Sequence, residues 1–321
     1  MQCSRLVASG SYLPSNIVTN EQIAQSVDTD NAWIVSRTGI KQRHIAESHE
    51  TTASMAELAC RQALTAAEMN AQDVDMIIVA TSTPDRVFPS VACLLQQRLE
   101  ITNPIIAFDV QAACAGFMCA LSVADQFIRT GMVRQALVVG SEIMSRIVDW
   151  QDRRTCVLFA DGAGAVILSA SQEPGIHSTH LYADGHKSDI LFTPNDLCAP
   201  NLNNGSPYLQ MQGREVFKFA VNALSNAVET MLDKHGLQPQ DIDWLIPHQA
   251  NVRIIEGIAK KLALPMHKVI TTVDRHANTS AASIPLALDH GIKEGLIKRG
   301  QKLLLEGIGG GMTWGSALIT Y

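Results

Sequence analysis

Ile128-Arg-Thr-Gly-Met-Val133 and Ile292-Lys-Glu-Gly-Leu-Ile297 read as one segment written twice, at an offset of 164 residues. Carried back through the same offset without a gap, Cys114 falls on Asn278. A second match, Asp73-Val-Asp-Met-Ile-Ile-Val-Ala80 with Asp241-Ile-Asp-Trp-Leu-Ile-Pro-His248, lies at the nearby offset of 168. One copy therefore carries a thiol, and the other an imidazole and a carboxamide, at corresponding places. A duplicated fold closing on a pseudo-twofold axis would bring the three groups to one point.

Outward from these repeats, short apolar runs alternate with helical patterns. Strands are expected at Met76–Ala80, Ile105–Val110, Ala136–Val139, Ala163–Leu168, Trp244–Ile246, Val269–Val273, Lys302–Leu305 and Ser316–Thr320. Helices are expected at Met55–Met69, Ala115–Arg129, Glu215–His235, Val252–Leu262 and Ser280–Glu294. Such alternation argues for an α/β class with two similar halves, 1–172 and 173–321, meeting at the Ser171-Gln-Glu-Pro-Gly175 turn. The Asn-, Pro- and Gly-rich segment 184–213 is long enough to be a lid that orders around a ligand.

Composition narrows the classes. Apolar content of 46% with 17% charged residues is that of a packed globular protein, and no stretch reaches the ~20 apolar residues of a membrane span. A net charge of −6 argues against nucleic acid as the main partner. The seven cysteines are odd in number and scattered, so reduced thiols and a cytoplasmic location are expected. No spacing of Cys, His and carboxylates suggests a metal site.

Three positions could carry chemistry. Cys114 sits in Asp109-Val-Gln-Ala-Ala-Cys-Ala-Gly-Phe117, between a strand and a helix. A thiol among alanines is often core filler, but a helix start lowers a thiol pKa and offers amide donors to an oxyanion. His248 ends an apolar strand in Ile246-Pro-His-Gln-Ala-Asn251, where α/β folds place ligands, or it is a satisfied core histidine. Asn278 in Asp274-Arg-His-Ala-Asn-Thr-Ser280 reads as a helix cap or as an amide donor. The run Gly307-Ile-Gly-Gly-Gly-Met-Thr-Trp-Gly315 suggests close backbone approach to a ligand.

At these residues the chain resembles the thiolase-like condensing enzymes, most closely the β-ketoacyl-acyl-carrier-protein synthase III family. The resemblance runs through Trp33-Ile-Val-Ser-Arg-Thr-Gly-Ile40, Phe88-Pro-Ser90, Ala112-Ala-Cys-Ala-Gly-Phe117, Ala160-Asp-Gly-Ala-Gly164, Glu215-Val-Phe-Lys218, Pro247-His-Gln-Ala-Asn251 and Gly309-Gly-Gly-Met-Thr-Trp-Gly-Ser-Ala317. It implies a layered αβαβα fold and a ping-pong decarboxylative Claisen condensation. Cys114 would be acylated by an acyl-coenzyme A, acetyl being the expected primer, with oxyanion support from its own amide and that of Gly310. His248 and Asn278 would then hold the enolate formed from malonyl-acyl-carrier protein. The resemblance further implies a coenzyme A site at Trp33, Arg37, Arg153, Gly213, Phe217 and Asn251. It implies a carrier-protein contact at Arg214, Lys218, Gln249, Ala250, Asn251, Val252, Arg253, Lys260 and Lys261. An acyl pocket at Phe88, Ile308 and Met312 is also implied, with Phe88 reaching into the partner subunit of a homodimer. Acyl-coenzyme A is a substrate in this scheme, and no cofactor or metal is implied.

The chain departs from the family pattern at Ala160, Ala277, Ile308 and Met312, where glycine, glycine, phenylalanine and phenylalanine are usual. These bear on pocket size and primer length. Rival readings are a secondary-metabolite condensing enzyme with another primer or extender, a papain-like hydrolase with Cys, His and Asn in that chain order, and a non-catalytic carrier-binding subunit.

Overall fold

The computed structural model describes residues 2–195 and 205–321. Part of the expectation for 184–213, including Cys198, lies outside the described residues. The first sheet comprises β1 (Cys3–Tyr12), β2 (Met76–Ala80), β3 (Ile106–Val110), β4 (Gln135–Ile143) and β5 (Asp161–Ser171), in spatial order β1-β5-β4-β2-β3. The second comprises β6 (Ile176–Ala183), β7 (Trp244–Pro247), β8 (Lys302–Gly309) and β9 (Thr313–Thr320), in order β7-β8-β9-β6.

The two orders are one order. In each sheet an inner strand runs parallel to its neighbour (β2 with β4, β7 with β8), and the last hairpin and the outer strand are antiparallel. The place that β3 fills in the first sheet is taken in the second by a single parallel bridge, Leu245 with Val269. Val269–Val273, expected as a strand, makes only this contact before turning into a helical turn at Val273.

The helices fill three layers. Helices α1 (Asn31–Thr38), α2 (Thr52–Ala66), α3 (Val91–Arg98), α4 (Gly116–Arg129), α5 (Gly213–His235), α6 (Val252–Lys261) and α7 (Ser283–Lys293) are named in chain order. Helices α4 and α7 lie between the sheets: Phe117, Leu121, Ile284 and Leu288 share one core with Ile78 and Val138 of the first sheet and Ile246 and Leu305 of the second. Helices α2 and α3 cover the outer face of the first sheet, and α5 and α6 that of the second. The result is αβαβα, as the resemblance implies. Among the described residues no helix is long and apolar enough to cross a membrane.

The central helices carry a second mark of duplication. Asp125 and Arg129 form an i,i+4 ion pair at 2.8 Å, and Asp289 and Lys293, 164 residues on, form another at 2.7 Å. Both aspartates are buried and both accept hydroxyls from β1, Asp125 from Ser4 and Asp289 from Ser9 and Ser11. Buried carboxylates are tolerated because each is paired and hydrogen-bonded.

Glu306 in β8 has no such support. It is buried, neither carboxyl oxygen has a partner, and its cross-strand neighbour Ser316 is also unpartnered. Burial pushes its pKa from 4.5 up to about 8, so it is a neutral acid at pH 7. The folded state therefore keeps a proton that the unfolded chain releases above about pH 4.5, and stability falls as pH rises through this window toward 8. Glu306→Gln is expected to flatten this loss, which is on the order of a few kcal/mol. Urea unfolding of both proteins at pH 5 and pH 8 checks it; equal pH dependence in the two would refute it.

Candidate active site

Cys114 stands in the turn Ala113–Ala115 between β3 and α4, held from below by the glycine run. A Cβ on Gly309 would lie 2.5 Å from the Cys114 amide nitrogen, and one on Gly310 would lie 2.6 Å from the Leu191 carbonyl oxygen. Only glycine lets β8 approach this closely, so the run's first tight contact is with the protein's own backbone. Ala113, with φ +45, adopts a left-handed conformation that turns the chain sharply before the thiol.

One cavity of about 1320 Å3 is lined by Cys114, His248 and Asn278 together, with Phe88, Gly213, Phe217, Ala250, Asn251, Ile308 and Met312 in the same wall. Gly309, Gly310 and Gly311 line it too. Asn278 is pinned to the strand-leading segment of the other half: its N–H donates to the Leu158 carbonyl at 2.9 Å and its carbonyl accepts from the Ala160 N–H at 2.9 Å. Its side-chain oxygen accepts the Ser280 N–H at 2.9 Å, which leaves the amide NH2 as the donor available to the cavity. The helix-cap alternative is thus partly true, since the oxygen caps the turn at Ser280.

His248 is buried at the end of β7, and its N–H donates to the Glu306 carbonyl at 2.8 Å. Nδ1 lies 2.5 Å from the Ser283 hydroxyl, whose oxygen accepts the Gln249 N–H at 3.3 Å. With the hydroxyl proton given to Nδ1, the imidazole carries its own proton on Nε2, the tautomer that offers a donor to the cavity. Burial lowers the His248 pKa to about 3, so the ring is neutral. Ser283, which orients the ring, opens helix α7 and carries no mark of this role in the sequence. The packing of α7 against β7 is what makes it adjacent.

The thiol departs from expectation. Burial pushes the Cys114 pKa up to about 12, a hydrogen bond from Ser280 opposes this, and the nearby Glu142 adds to it. Placement before a helix does not overcome the cost of burying a thiolate. The papain-like arrangement is also excluded by geometry, because the His248 ring is oriented by Ser283 and the Asn278 oxygen is bound to Ser280.

Other expected site residues divide. Trp33, Arg37 and Arg153 lie outside the cavity wall, although Asn251 connects to them by donating to the Arg37 carbonyl at 3.1 Å. The Arg153 guanidinium already lies over the Trp33 ring at 5.2 Å and donates to the Asp28 carbonyl at 2.5 Å. A ring could enter between the two only if Arg153 moved. Gln249 is buried, with its amide spent on the Pro247 and Ile270 carbonyls and the Thr272 and Val273 N–H groups. It cannot face a docking partner, and its place beside His248 in sequence reflects a structural clamp. Ala250 lines the cavity, whereas Val252 packs on Gly39 outside its wall, and both are half-buried.

Of the departures, Ile308 and Met312 line the cavity, whereas Ala160 and Ala277 are in the core. Ala277 has φ +53 and ψ −155, a conformation open to glycine and strained by about 1–3 kcal/mol for alanine. Its effect is thus on the backbone beside Asn278 and not on pocket volume.

Residues 108–185 match the family profile described as 3-oxoacyl-[acyl-carrier-protein (ACP)] synthase III, and residues 232–321 match its C-terminal counterpart. A β-ketoacyl-[acyl-carrier-protein] synthase III of Methylococcus capsulatus is 57% identical over 318 residues, covering 99% of each chain. That of Neisseria gonorrhoeae is 56% identical over 321 residues, covering 100% of each. Among solved structures, the 3-oxoacyl-[acyl-carrier-protein] synthase III of Aquifex aeolicus aligns with TM-score 0.94 and 45% identity over 99% of this chain and 100% of that one. The priming β-ketosynthase of the R1128 polyketide pathway aligns with TM-score 0.95 and 34% identity over 99% and 96%. By fold, by site geometry and by identity along its whole length, the chain belongs to the β-ketoacyl-[acyl-carrier-protein] synthase III family.

Proposed function

We propose that this chain joins an acyl-coenzyme A primer, acetyl in the simplest case, to malonyl-acyl-carrier protein, giving the 3-ketoacyl-acyl-carrier protein that starts fatty-acid synthesis. The observation that carries the reading is the single cavity shared by Cys114, His248 and Asn278. Acyl transfer comes first: the Cys114 sulfur attacks the thioester, with the amides of Cys114 and Gly310 positioned to receive the oxyanion. Coenzyme A leaves as a thiol. Malonyl thioester then loses carbon dioxide while the neutral His248 Nε2–H and the Asn278 NH2 bind the oxygen that gathers charge. The resulting carbanion attacks acyl-Cys114. A neutral imidazole suits this step, since it donates to the enolate without holding the carboxylate in place as a cation would.

The surroundings fit two extended thioesters in turn. The cavity exceeds the ~300–1000 Å3 of ordinary ligand pockets, and Gly213, Phe217 and Asn251 lie along it toward Arg37 and Trp33. Phe88 is 83% exposed beside the cavity, a large apolar surface that a second copy of the chain would cover, consistent with a homodimer. The scheme draws only on protein side chains and the two substrates, without a cofactor, and a cytoplasmic setting accords with reduced cysteines. The division into halves 1–172 and 173–321 follows the repeated strand order, with β5 handing over to β6 between them.

Helices α5 and α6 offer the carrier a basic mouth. A Cβ on Gly257 would lie 3.2 Å from Val221, and Lys261 bonds the Asn226 side chain at 3.2 Å, so the two helices rise side by side. Arg253, one turn before Gly257, thereby comes beside the Phe217–Lys218 turn at the cavity wall. Arg214, Lys218, Arg253, Lys260 and Lys261 are all exposed, but Lys260 and Lys261 lie about two turns farther on, roughly 10 Å from Arg253. Arg253 is the docking residue of most consequence.

Mass spectrometry after incubation with acyl-coenzyme A is expected to find the acyl group on Cys114 and to find none in Cys114→Ala. Acylation elsewhere, or not at all, would sink the reading. His248→Ala and Asn278→Ala are expected to keep acyl transfer and to slow malonyl decarboxylation by about 100-fold each; equal loss in both half-reactions would refute the division of roles. Decarboxylation by the acylated enzyme should show no acid limb from His248 between pH 5 and 8, because that ring stays neutral down to about pH 3. Arg253→Glu should raise KM for the malonyl carrier on the order of tenfold and leave acyl-coenzyme A kinetics unchanged. An unchanged carrier KM would count against docking at this helix.

A further inference from the structure

Asn278 serves the cavity through its side-chain NH2, and its backbone bonds to Leu158 and Ala160 fix only where that side chain begins. The direction of the amide is held by the Ser280 N–H, which donates to the Asn278 side-chain oxygen at 2.9 Å. The turn that makes this contact is strained. Ala277 at φ +53 and Ser280 at φ +50 both stand in the left-handed region that favours glycine. Relaxation of Ser280 out of that region would swing its N–H away from Asn278, so a group outside the turn must hold it.

Strand β4 passes beneath this turn, and its alternation turns Gly140 and Glu142 to the same face. A Cβ on Gly140 would lie 2.3 Å from the Ala281 carbonyl oxygen, so glycine is what admits the turn. Glu142 then grips it: the buried carboxyl accepts the Ser280 hydroxyl at 3.0 Å on one oxygen. Its other oxygen accepts the Thr83 hydroxyl at 2.6 Å, the Ser82 N–H at 3.0 Å and the Thr81 hydroxyl at 3.2 Å. Those donors are themselves tied down, since the Thr83 oxygen accepts the Ile143 N–H at 2.9 Å and the Thr81 oxygen accepts the Thr83 N–H at 3.1 Å. Glu142 is thereby anchored in the first half of the chain and reaches into the second through Ser280.

We infer that Glu142 is a positioning residue for the decarboxylation step: it holds Ser280 in its left-handed conformation and so aims the Asn278 NH2 at the thioester oxygen. Ser280 and Asn278 line the cavity, whereas Glu142 lies behind its wall and acts at one remove from the substrate. The role calls for shape and hydrogen bonding and not for charge. A glutamine at 142 can keep its oxygen toward Thr81, Ser82 and Thr83 and turn its NH2 to the Ser280 oxygen, which preserves the tie with donor and acceptor exchanged. Alanine at 280 removes the tie and leaves a residue that is itself strained at positive φ. A glutamate needed for its charge or as a proton acceptor would give the opposite pattern at 142, with glutamine inactive.

The decarboxylation rate rests on the condensing-enzyme reading, whereas the pose of the amide does not, and each has its own measurement. In protein labelled with nitrogen-15 at asparagine, the Asn278 side-chain NH2 resonances are identified by their loss in Asn278→Ala. Ser280→Ala is expected to shift this pair, and Glu142→Gln to hold it near its native position. On the acylated enzyme, Ser280→Ala is expected to slow malonyl decarboxylation by about 30-fold, and Glu142→Gln by no more than about threefold. Added to Asn278→Ala, Ser280→Ala is expected to cost nothing further, because it acts through that amide. Unmoved resonances in Ser280→Ala, a loss that adds to that of Asn278→Ala, or a Glu142→Gln as slow as Ser280→Ala overturns the inference. Both variants keep a polar group at 142 with its donors from Thr81, Ser82 and Thr83; should Ser280→Ala still not fold, displaced Asn278 resonances in Glu142→Gln overturn the inference and native ones support it. Failure of acyl-coenzyme A to label the native protein would count against the condensing-enzyme reading and leave the resonance result standing.

Discussion

Burial of its titratable groups is the constraint on which this site depends. Cys114, His248, Glu142 and Glu306 are all buried, and each has its ionisation shifted toward the neutral form. In water a thiol, an imidazole and a carboxylate would exchange protons freely with solvent. Here every charge that develops must be met by a donor already in place, so the chemistry is decided by the orientation of neutral dipoles. The Ser283 hydroxyl orients the imidazole, the Ser280 N–H orients the Asn278 amide, and Gly309 brings β8 against the Cys114 backbone.

Duplication supplies that orientation cheaply. A strand end followed by a turn and a central helix occurs in both halves, and the two central helices pack against each other's sheet in a common core. The turn before α4 carries the thiol and the turn before α7 carries the carboxamide, so packing the helices together places both turns at one cavity. Rigidity comes from the same contacts, because Asn278 is bridged to Phe159 of the other half and β8 is wedged under Cys114. A change in the angle between α4 and α7 would move the thiol and the amide in opposite directions. The paired, buried Asp125 and Asp289, each tied to β1, oppose that movement.

Much of this is legible in the sequence because burial leaves a plain signature. Met76–Ala80 is buried on both faces and reads as an unbroken apolar run, so the expected strand and the observed one share both ends. β1 escapes such a reading because its serines are spent on the two aspartates and its Gly10 admits α2, a Cβ there lying 2.2 Å from the Ala59 carbonyl. A strand of that kind has little apolar alternation to read. The aspartate pairs, though, stand at the same 164-residue offset as Cys114 and Asn278 and are visible to the same comparison. Val269–Val273 looks like a strand because apolar β-branched residues fit a core turn as well. Among site residues, Cys114 and Asn278 can be found from the repeat and His248 from its place at a strand end, whereas Ser280, Ser283 and Glu142 cannot. Their importance comes from contacts between elements more than a hundred residues apart in one case, as Ser280 with Glu142, and a serine in a small-residue turn carries no local signal of that. Gln249 shows the converse, a polar residue beside a functional histidine whose amide is wholly occupied in holding the loop.

Primer choice is a matter for the wall and not for the polar centre. The R1128 priming β-ketosynthase superposes on this chain as well as the Aquifex aeolicus synthase does, so overall shape does not distinguish the two. The polar groups that meet the thioester are indifferent to the chain beyond the carbonyl carbon. The apolar part of that wall includes Ile308 and Met312, with Phe88 at the exposed edge. An apolar wall yields about 1–3 kcal/mol per methylene, enough to rank primers and too little to exclude a near neighbour. Of these two, Ile308 is β-branched and stiff, and Met312 adapts more readily. An apolar wall of this kind sets size and shape, whereas the orientation of the polar groups is set by hydrogen bonds between elements, as Asn278 with Ser280 and His248 with Ser283.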